Sequence, residues 1–346
     1  MANFNKEELL NDLKDWHIKL KKYQVPNTQK AIIQVINSFG IFFALWALQY
    51  KMLQDSVLWV ILIAIVNGFM LGRIFIIQHD CGHKSFTKSR KFNDFIGTIA
   101  SILTVIPYKY WAANHDFHHA NNGKLEFSDV GDVECLTTEA YAKLDWKAKV
   151  RYRIYRSPFY LFTIGGFTYV AIYNRFAFMK TGVFSEVWKT VKWSNLLFIG
   201  TYALFTYFMR ADFLIVQGIN LLFFGTYALW FFYVQHQYEY IYKTTTDNWN
   251  YVVSAVKSST YYDLPKIMHW FTGNIGYHHI HHLSPSIPNY NLEACNKEYP
   301  EFEKHTNKIN IMQSFKTVFA NLWDDKRQKM VSFEENELNQ EIDKLK

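Results

Sequence analysis

The sequence predicts an all-α integral membrane protein with four transmembrane helices in two hairpins and a cytosolic helical cap. Three observations support this prediction: paired apolar runs of membrane-spanning length, an uneven distribution of basic residues, and histidines grouped beside the apolar runs. Half of the 346 residues are apolar and 18% are aromatic, as is usual where Trp and Tyr line a lipid–water boundary. We expect residues 1–346 to form a single membrane domain.

Two pairs of apolar runs are long enough to cross a bilayer, which requires about 20 residues per helix. The first pair is 31–50 and 57–77, and the second pair is 191–209 and 213–234. Only a short polar segment separates the two members of each pair. Each pair is therefore predicted to form a transmembrane hairpin.

The remaining segments are predicted to lie on the cytoplasmic side. The two hairpin turns carry only Lys51 and Arg210, so the positive-inside rule directs both turns away from the cytoplasm. Residues 1–30 are expected to form an amphipathic cytosolic segment. Residues 79–190 and 235–346 are expected to form the cytosolic cap, with some segments lying at the membrane interface.

The segment 158–173 is apolar but of marginal length for a transmembrane helix. A crossing there would place the later histidine groups on the opposite side of the membrane from the first two. We therefore expect this segment not to cross. Whether it is re-entrant or interfacial stays open at the level of sequence.

Cysteine content and net charge exclude several classes of protein. Cys81, Cys135 and Cys295 form no CxxC pair, so neither a disulfide framework nor a thiolate zinc site is expected. The net charge of +7 fits nucleic acid or an anionic membrane face, and the apolar runs favour the membrane over nucleic acid. The abundance of Asn, Lys, Ile, Phe and Tyr favours an AT-rich bacterial genome, and hence a bacterial inner membrane.

Ten of the thirteen histidines lie in groups beside the apolar runs: HDCGH at 79–83, HDFHH at 115–119, HHIHH at 278–282, and His236 after the fourth run. Residues three and four apart share a helix face, so HxxxH and HxxHH each direct their imidazoles towards one place. The histidines with this spacing are His79, His83, His115, His118, His119, His278, His281 and His282. So many buried rings need partners for their nitrogens, and metal is the economical partner.

The number of imidazoles predicts a di-metal site in the cap. A structural zinc takes four ligands and a catalytic zinc about three, so eight or nine imidazoles exceed the needs of one ion. The absence of ExxH argues against a carboxylate-rich di-iron site, and the absence of HExxH argues against a zinc protease. A metal carrier would place its histidines at mid-membrane depth, whereas these lie just outside the apolar runs.

At these residues the chain resembles the integral membrane fatty-acid desaturases, especially the acyl-lipid, omega-6 (oleoyl-type) branch. The matching segments are HDCGHKSF at 79–86, HDFHH at 115–119, FYVQHQYE at 232–239 and WFTGNIGYHHIHHLSPSIPNY at 270–290. The resemblance extends from about Ile32 to Asn296. The long match around the third histidine group is specific to this branch.

The resemblance implies an enzyme that uses O₂ as co-substrate and two electrons to introduce a cis double bond into the acyl chain of a lipid. It implies a di-iron centre in which His236 joins the eight histidines, with no catalytic residue beyond these ligands. Zinc is expected as an adventitious occupant, because it binds nitrogen ligands more tightly than ferrous iron. Since no HPGG haem-binding motif occurs, a separate electron donor of the ferredoxin or flavodoxin type is implied. Hydroxylases, acetylenases and ketolases share the motifs and remain alternatives.

Residues behind the ligands are expected to orient the imidazoles. The carboxylate candidates are Asp80, Asp116, Asp129, Asp132 and Asp263. For each of them, a solvated loop acid is the competing interpretation. Asn274 lies four residues before His278 and is a candidate to reach a metal through water, with a capping role as the alternative.

Overall fold

The computed structural model describes residues 4–127 and 131–345, and most of these residues are helical. The α-helices are α1 (Lys6–Asp12), α2 (Trp16–Leu20), α3 (Thr28–Met52), α4 (Val57–Gly82), α5 (Arg90–Thr104), α6 (Tyr108–Asn121), α7 (Thr138–Ala142), α8 (Trp146–Tyr155), α9 (Pro158–Tyr160), α10 (Gly166–Ala171), α11 (Thr190–His236), α12 (Tyr251–Lys257), α13 (Lys266–Phe271), α14 (His278–Leu283), α15 (Asn289–Glu298), α16 (Pro300–Lys304), α17 (Ile311–Thr317) and α18 (Phe333–Lys344).

Two small sheets lie within the cap sequence. Strand β1 (Thr260–Asp263) pairs in parallel with β2 (Asn307–Asn310), so that Thr260 lies opposite Asn307. Strand β3 (Leu322–Asp324) pairs antiparallel with β4 (Lys329–Val331). The β1–β2 pair ties together segments that are distant in sequence, whereas β3 and β4 follow each other closely. Strand β1 follows Ser258, whose carbonyl oxygen contacts His236.

Among the described residues, three helices are long and apolar enough to cross a membrane: α3, α4 and α11. The four apolar runs of the sequence lie within these helices. The N-cap of α3 is Asn27, whose side chain accepts from the Lys30 amide, and the N-cap of α4 is Ser56. Buried amides join the three helices, since Gln49 bonds to both Asn67 and Asn220.

Helix α11 is interrupted at Arg210, whose φ of 58° and ψ of −159° are not helical. Without an interruption, its 47 residues would extend about 70 Å, more than twice the hydrocarbon thickness of a bilayer. The ring centroids of Tyr202 and Phe213 are 5.1 Å apart, whereas eleven residues of straight helix would separate them by about 16 Å. The chain therefore bends sharply at Arg210, and side chains on either side of the bend meet.

The second part of α11 packs against helix α4, and both helices carry clustered histidines at their C-terminal ends. An added Cβ at Gly68 would lie 2.6 Å from Phe223 Cβ, so the two helices touch there. At Gly72, one turn further along, the nearest heavy atom to an added Cβ is Phe224 Cδ2, at 4.0 Å. There is therefore open space beside Gly72 that is absent beside Gly68, and Gly72 borders a cavity between the two helices.

The segment 158–173 is helical from Pro158 to Ala171, with a π-helical turn at Leu161–Gly165 between α9 and α10. It packs closely on α11, because an added Cβ at Gly166 would lie 2.4 Å from the Gly225 carbonyl oxygen. Phe159 is exposed on its other side. That this segment does not cross the membrane stays a prediction.

The N-terminal segment packs onto the cap. Leu9, Leu13 and Leu20 of α1 and α2 are buried in one apolar cluster with residues of α12 and α14, including Val253 and Ile280. The apolar stripe of this amphipathic segment is therefore covered by the helix that carries the third histidine group.

Candidate metal centre

The first group of histidines contains five residues from three helices. Their ligand atoms lie within 4.8 Å of one another, and the residues are His79, His83, His115, His119 and His281. His79 Nε2 is 2.9 Å from His115 Nε2 and 3.0 Å from His281 Nε2. Helix α4 supplies the HxxxH pair, α6 supplies two residues four apart, and α14 supplies the fifth.

The second group contains His118, His236 and His282, and His278 adjoins it. His236 Nε2 lies 2.8 Å from His278 Nε2 and 3.2 Å from both His118 Nε2 and His282 Nε2. The two groups are neighbours, because the ring centroids of His119 and His282 are 4.2 Å apart.

Each HxxHH motif is divided between the two groups. In α6 the residues four apart, His115 and His119, join the first group, and His118 joins the second. In α14 the division is reversed, since His281 joins the first group while His282 lies in the second. Residues four apart differ by about 40° around a helix and residues three apart by about 60° in the other direction, so one motif faces two centres.

Outer hydrogen bonds fix the state of several rings. His79 Nδ1 lies 2.9 Å from Asp80 Oδ1, and His236 Nδ1 lies 3.0 Å from the Ser258 carbonyl oxygen. A carbonyl or carboxylate oxygen can only accept, so Nδ1 carries the proton in both rings. The Nε2 lone pairs of these neutral rings therefore point into the two groups.

Burial keeps the rings neutral. It lowers the pKa of His118 to about 3, with a further lowering from nearby His236. Burial also lowers the pKa of His119 and His282 well below the usual histidine value. Neutral imidazole is the form that binds metals.

The donor set fits two metal ions. Two nitrogens bound at about 2.1 Å from one metal and at a right angle to each other lie about 3.0 Å apart. The closest Nε2–Nε2 pairs within the groups are 2.8 to 3.2 Å apart. A single ring proton can bridge only one such pair, whereas a cation accepts all the lone pairs around it, and nine imidazoles in two adjoining groups match two cations.

Two of the predicted orienting carboxylates contact a histidine of the first group. Asp80 contacts His79, and its other oxygen accepts from the backbone and side-chain amides of Asn289, at 2.7 and 2.8 Å. Asp116 Oδ1 lies 3.1 Å from His83 Nδ1, although the Asp116 side chain is 62% exposed.

The other candidates have different surroundings. Asp132 accepts from the Val133 amide and from Gln237 Nε2, next to His236 in sequence. Asp263 pairs with Lys308 at 3.4 Å. Asp129 lies outside the described residues.

Asn274 has a left-handed backbone, with φ of 59°, and its side chain donates to the Asn289 carbonyl oxygen at 3.2 Å. Through Asn289 it is connected to Asp80 and so to His79. His279 is fully buried and belongs to neither group.

Three groups behind the clustered histidines were not anticipated from sequence. Asn289 holds Asp80, the Ser258 carbonyl holds His236, and the Asn122 amide lies 3.3 Å from His282 Nδ1. Asn122 lies three residues after His119 in the chain, and this short separation from the second histidine motif was a weak indication of a role at the site. A backbone carbonyl leaves no signal in a sequence.

An apolar cavity between α4 and the second part of α11 leads to both histidine groups. Aromatic and aliphatic side chains form nearly all of its wall, among them Phe75, Trp111 and Phe224. His79, His115 and His278 border it as well. The arrangement can hold an unbranched hydrocarbon against the site while excluding water from its path.

Fold and site together define a helical, membrane-associated protein whose buried histidines fit two metal ions. Comparison with known proteins specifies the class further. The family model for fatty acid desaturase matches residues 56–311. A fatty acid desaturase of Bacillus subtilis (strain 168) is 39% identical over 309 residues, which cover 89% of this chain and 87% of that protein.

More distant relatives carry related names. An endoplasmic-reticulum omega-3 fatty acid desaturase of Vigna radiata var. radiata is 31% identical over 67% of this chain and 62% of that protein. An sn-1 oleoyl-lipid 12-desaturase of Synechocystis sp. is 27% identical over 68% of this chain and 66% of that protein. The chain belongs to the fatty acid desaturase family, whose members are oxygen-dependent oxidoreductases. The resemblance inferred from the histidine motifs is thereby confirmed.

Proposed function

We propose that this desaturase introduces a cis double bond into the acyl chain of a membrane lipid, using O₂ and two electrons at a di-iron centre. The observation that carries the proposal is the apolar cavity that ends at the two histidine groups. The reaction removes two hydrogens from the acyl chain. With two electrons from a donor and two protons from water, they reduce one O₂ to two waters.

Nine histidines would hold the two irons. His79, His83, His115, His119 and His281 would bind one ion, and His118, His236, His278 and His282 would bind the other. Imidazole suits iron, and zinc is the expected contaminant because it binds the same nitrogens more tightly. When bound, the two irons supply the redox chemistry that activates O₂ against an unactivated methylene.

The protein's own residues position and protect the reacting carbon. Asp80 holds His79, and the Ser258 carbonyl holds His236, so the rings keep one orientation. The apolar wall of the cavity holds the acyl chain and keeps water away from it. Because the wall near the site carries few polar groups, we expect the hydrocarbon part of the substrate to lie there and the head group to bind outside this cavity.

We propose four membrane crossings in two hairpins, with the histidines on the cytoplasmic side of a bacterial inner membrane. Helices α3 and α4 supply one hairpin and the two parts of α11 supply the other. The ring contact between Tyr202 and Phe213 supports the second reversal. The segment 158–173 would lie at the interface, and a separate ferredoxin or flavodoxin would deliver electrons from the cytoplasm.

The test is gas chromatography–mass spectrometry of membrane fatty acids from a bacterial host that expresses the chain together with a ferredoxin system. The matched variants are His118→Ala in the second group and His17→Ala at an exposed histidine of α2. New unsaturated acids in the wild type and in His17→Ala, but not in His118→Ala, are expected. Hydroxylated acids in their place would make the chain a hydroxylase, and products that persist in His118→Ala would contradict the assigned site.

A further inference from the structure

Residues 84–91, which form the loop after the first histidine motif and the first two residues of α5, carry an unbalanced positive charge. Lys84, Lys88, Arg90 and Lys91 are all exposed, and no acidic residue occurs between His83 and Asp94. Within the described residues, none of the four forms an ion pair. Asp94 itself is paired with Lys109.

A fifth cation extends this surface. Exposed Lys30 lies over the Tyr290 ring, at 5.8 Å from its centroid, and the Tyr290 hydroxyl donates to the Phe86 carbonyl oxygen. Many cations elsewhere on the cap are neutralised, as Lys304 is by Glu8 and Asp12. We call Lys30, Lys84, Lys88, Arg90 and Lys91 the basic loop surface.

The basic loop surface is directly connected to the metal site. Ser85 donates from its backbone amide and from its hydroxyl to the Asp80 carbonyl oxygen, at 3.0 and 3.2 Å. The Asp80 carboxylate contacts His79, and Lys84 follows His83 in the chain. His83 is the least buried histidine of the first group. Two short routes therefore lead from this surface to the histidines. One runs along the chain from Lys84 to the adjacent His83. The other runs from Ser85 through a hydrogen bond to Asp80, and from the Asp80 carboxylate through a second hydrogen bond to His79.

A second basic run, on α8, has a different character. Lys147, Lys149 and Arg151 alternate with exposed Trp146 and Val150, a pattern typical of a helix lying on a membrane surface. Among residues 84–91 the one aromatic side chain, Phe86, is fully buried. Residues 84–91 thus offer charge without exposed apolar side chains, and the first exposed aromatic residue beyond them is Phe95 of α5. This concentration of charge favours a hydrophilic partner over lipid.

We infer that the basic loop surface is the docking site of an acidic one-electron carrier protein. This inference rests on the separate electron donor of the proposed function and adds where that donor binds. Each docked carrier gives up one electron and leaves oxidised. Two such transfers, with two protons from water, complete the reduction of O₂ alongside the two hydrogens from the acyl chain.

The test uses the full chain in phosphatidylcholine nanodiscs, which have no net surface charge, with a reduced acidic [2Fe–2S] ferredoxin as the probe. The variant reverses three charges, Lys88→Glu, Arg90→Glu and Lys91→Glu. The matched control reverses three on α8, Lys147→Glu, Lys149→Glu and Arg151→Glu. Stopped-flow absorbance follows ferredoxin oxidation in the presence of O₂ and lipid substrate, at low and high salt.

We expect the loop variant to lower the second-order rate of ferredoxin oxidation by at least about tenfold at low salt, and the control to change it by less than about twofold. The difference should shrink as salt is added. Equal rates in wild type and loop variant, or equal losses in both variants, would overturn the inference.

A small reductant separates docking from chemistry. The protein is reduced with dithionite and methyl viologen in the absence of oxygen, freed of reductant, and then mixed with O₂. In this single turnover, wild type and loop variant should form equal amounts of double bonds. A loss in the loop variant under these conditions would show a damaged site and overturn the docking role. If wild type forms no double bonds in this single turnover, the proposed function itself fails, independently of the surface.

Discussion

His236 and His278 face each other with their Nε2 atoms 2.8 Å apart, although they are 42 residues apart in the chain. The His236 proton is on Nδ1, where it is donated to the Ser258 carbonyl oxygen. Its Nε2 therefore presents a lone pair to His278 and also to the Nε2 atoms of His118 and His282, at 3.2 Å each. One ring proton cannot serve all of these contacts, and a metal ion bound by the four nitrogens would. The end of α11 and the third histidine motif thus define one half of the site.

Replacing Asp80 should weaken the site without removing a ligand. An Asn side chain at position 80 cannot accept from both His79 and Asn289 as the carboxylate does, so His79 loses its fixed orientation. We expect Asp80→Asn to lower iron affinity and turnover by about 10- to 100-fold. Competition against a chelator, followed by product analysis, measures both. Asp263→Asn, which alters a carboxylate paired with Lys308, serves as the control and should stay within about twofold.

Filling the cavity at Gly72 should restrict the acyl chains that the enzyme accepts. An added Cβ there meets only Phe224 Cδ2, at 4.0 Å, so a larger side chain enters the cavity without displacing the backbone. We expect Gly72→Val to reduce turnover of long acyl chains by about tenfold or more and to affect shorter chains less, because about three methyl-sized groups of space are lost. Product profiles over a chain-length series measure the effect. Gly200→Val, at a position with open space outside the cavity, should leave the profile unchanged.

The fully buried Arg156 should stabilise the junction between α11 and the cap. It donates to the carbonyl oxygens of Glu134 and Ala320, to the Tyr233 hydroxyl and to Gln237 Oε1. Arg156→Met leaves these buried acceptors with fewer donors, and we expect it to lower the free energy of unfolding by about 3 kcal/mol or more. Denaturant unfolding in detergent measures this. The exposed Arg151→Met should change it by less than about 0.5 kcal/mol.

The proposed topology predicts which positions are reached from each side of the membrane. Single cysteines at Arg151 and Lys180 flank the segment 158–173, and a cysteine at Gln54 reports on the first hairpin turn. We expect a membrane-impermeant maleimide to label the Gln54 position in intact spheroplasts, and the other two only after lysis. The three native cysteines are buried, which keeps the background low. Labelling of Lys180→Cys, but not Arg151→Cys, in intact spheroplasts would mean that the segment crosses.

The sequence identified the histidines because three- and four-residue spacings have a direct meaning on a helix. The same spacings predicted convergence but not the division of each HxxHH motif, since His115 and His118 could serve one ion or two until α4 and α14 were placed beside α6. The spacing of residues along the chain could not identify residues that act through tertiary contacts. Asp80 and Asp263 look alike in sequence, yet Asp80 meets His79 and Asp263 meets Lys308.

The same limit applies to the helices. The two apolar runs around Arg210 were visible, and the non-helical φ and ψ of that one residue separate them in the structure. The open space beside Gly72, which borders the cavity, depends on which side chains face the partner helix. A hydropathy pattern shows that a helix is apolar on all sides, but it does not show which of its side chains face the partner helix.

The most direct test of the central claim is the iron-to-protein ratio of the chain purified from iron-supplemented cells, measured by elemental mass spectrometry with His236→Ala and His83→Ala beside it. The account predicts about two irons per wild-type chain and a substantial loss in each variant, because the two substitutions remove ligands from different groups. An exposed-site control, His17→Ala, should keep both irons. A wild-type ratio of one, or two irons retained in both ligand variants, would contradict the two-centre assignment.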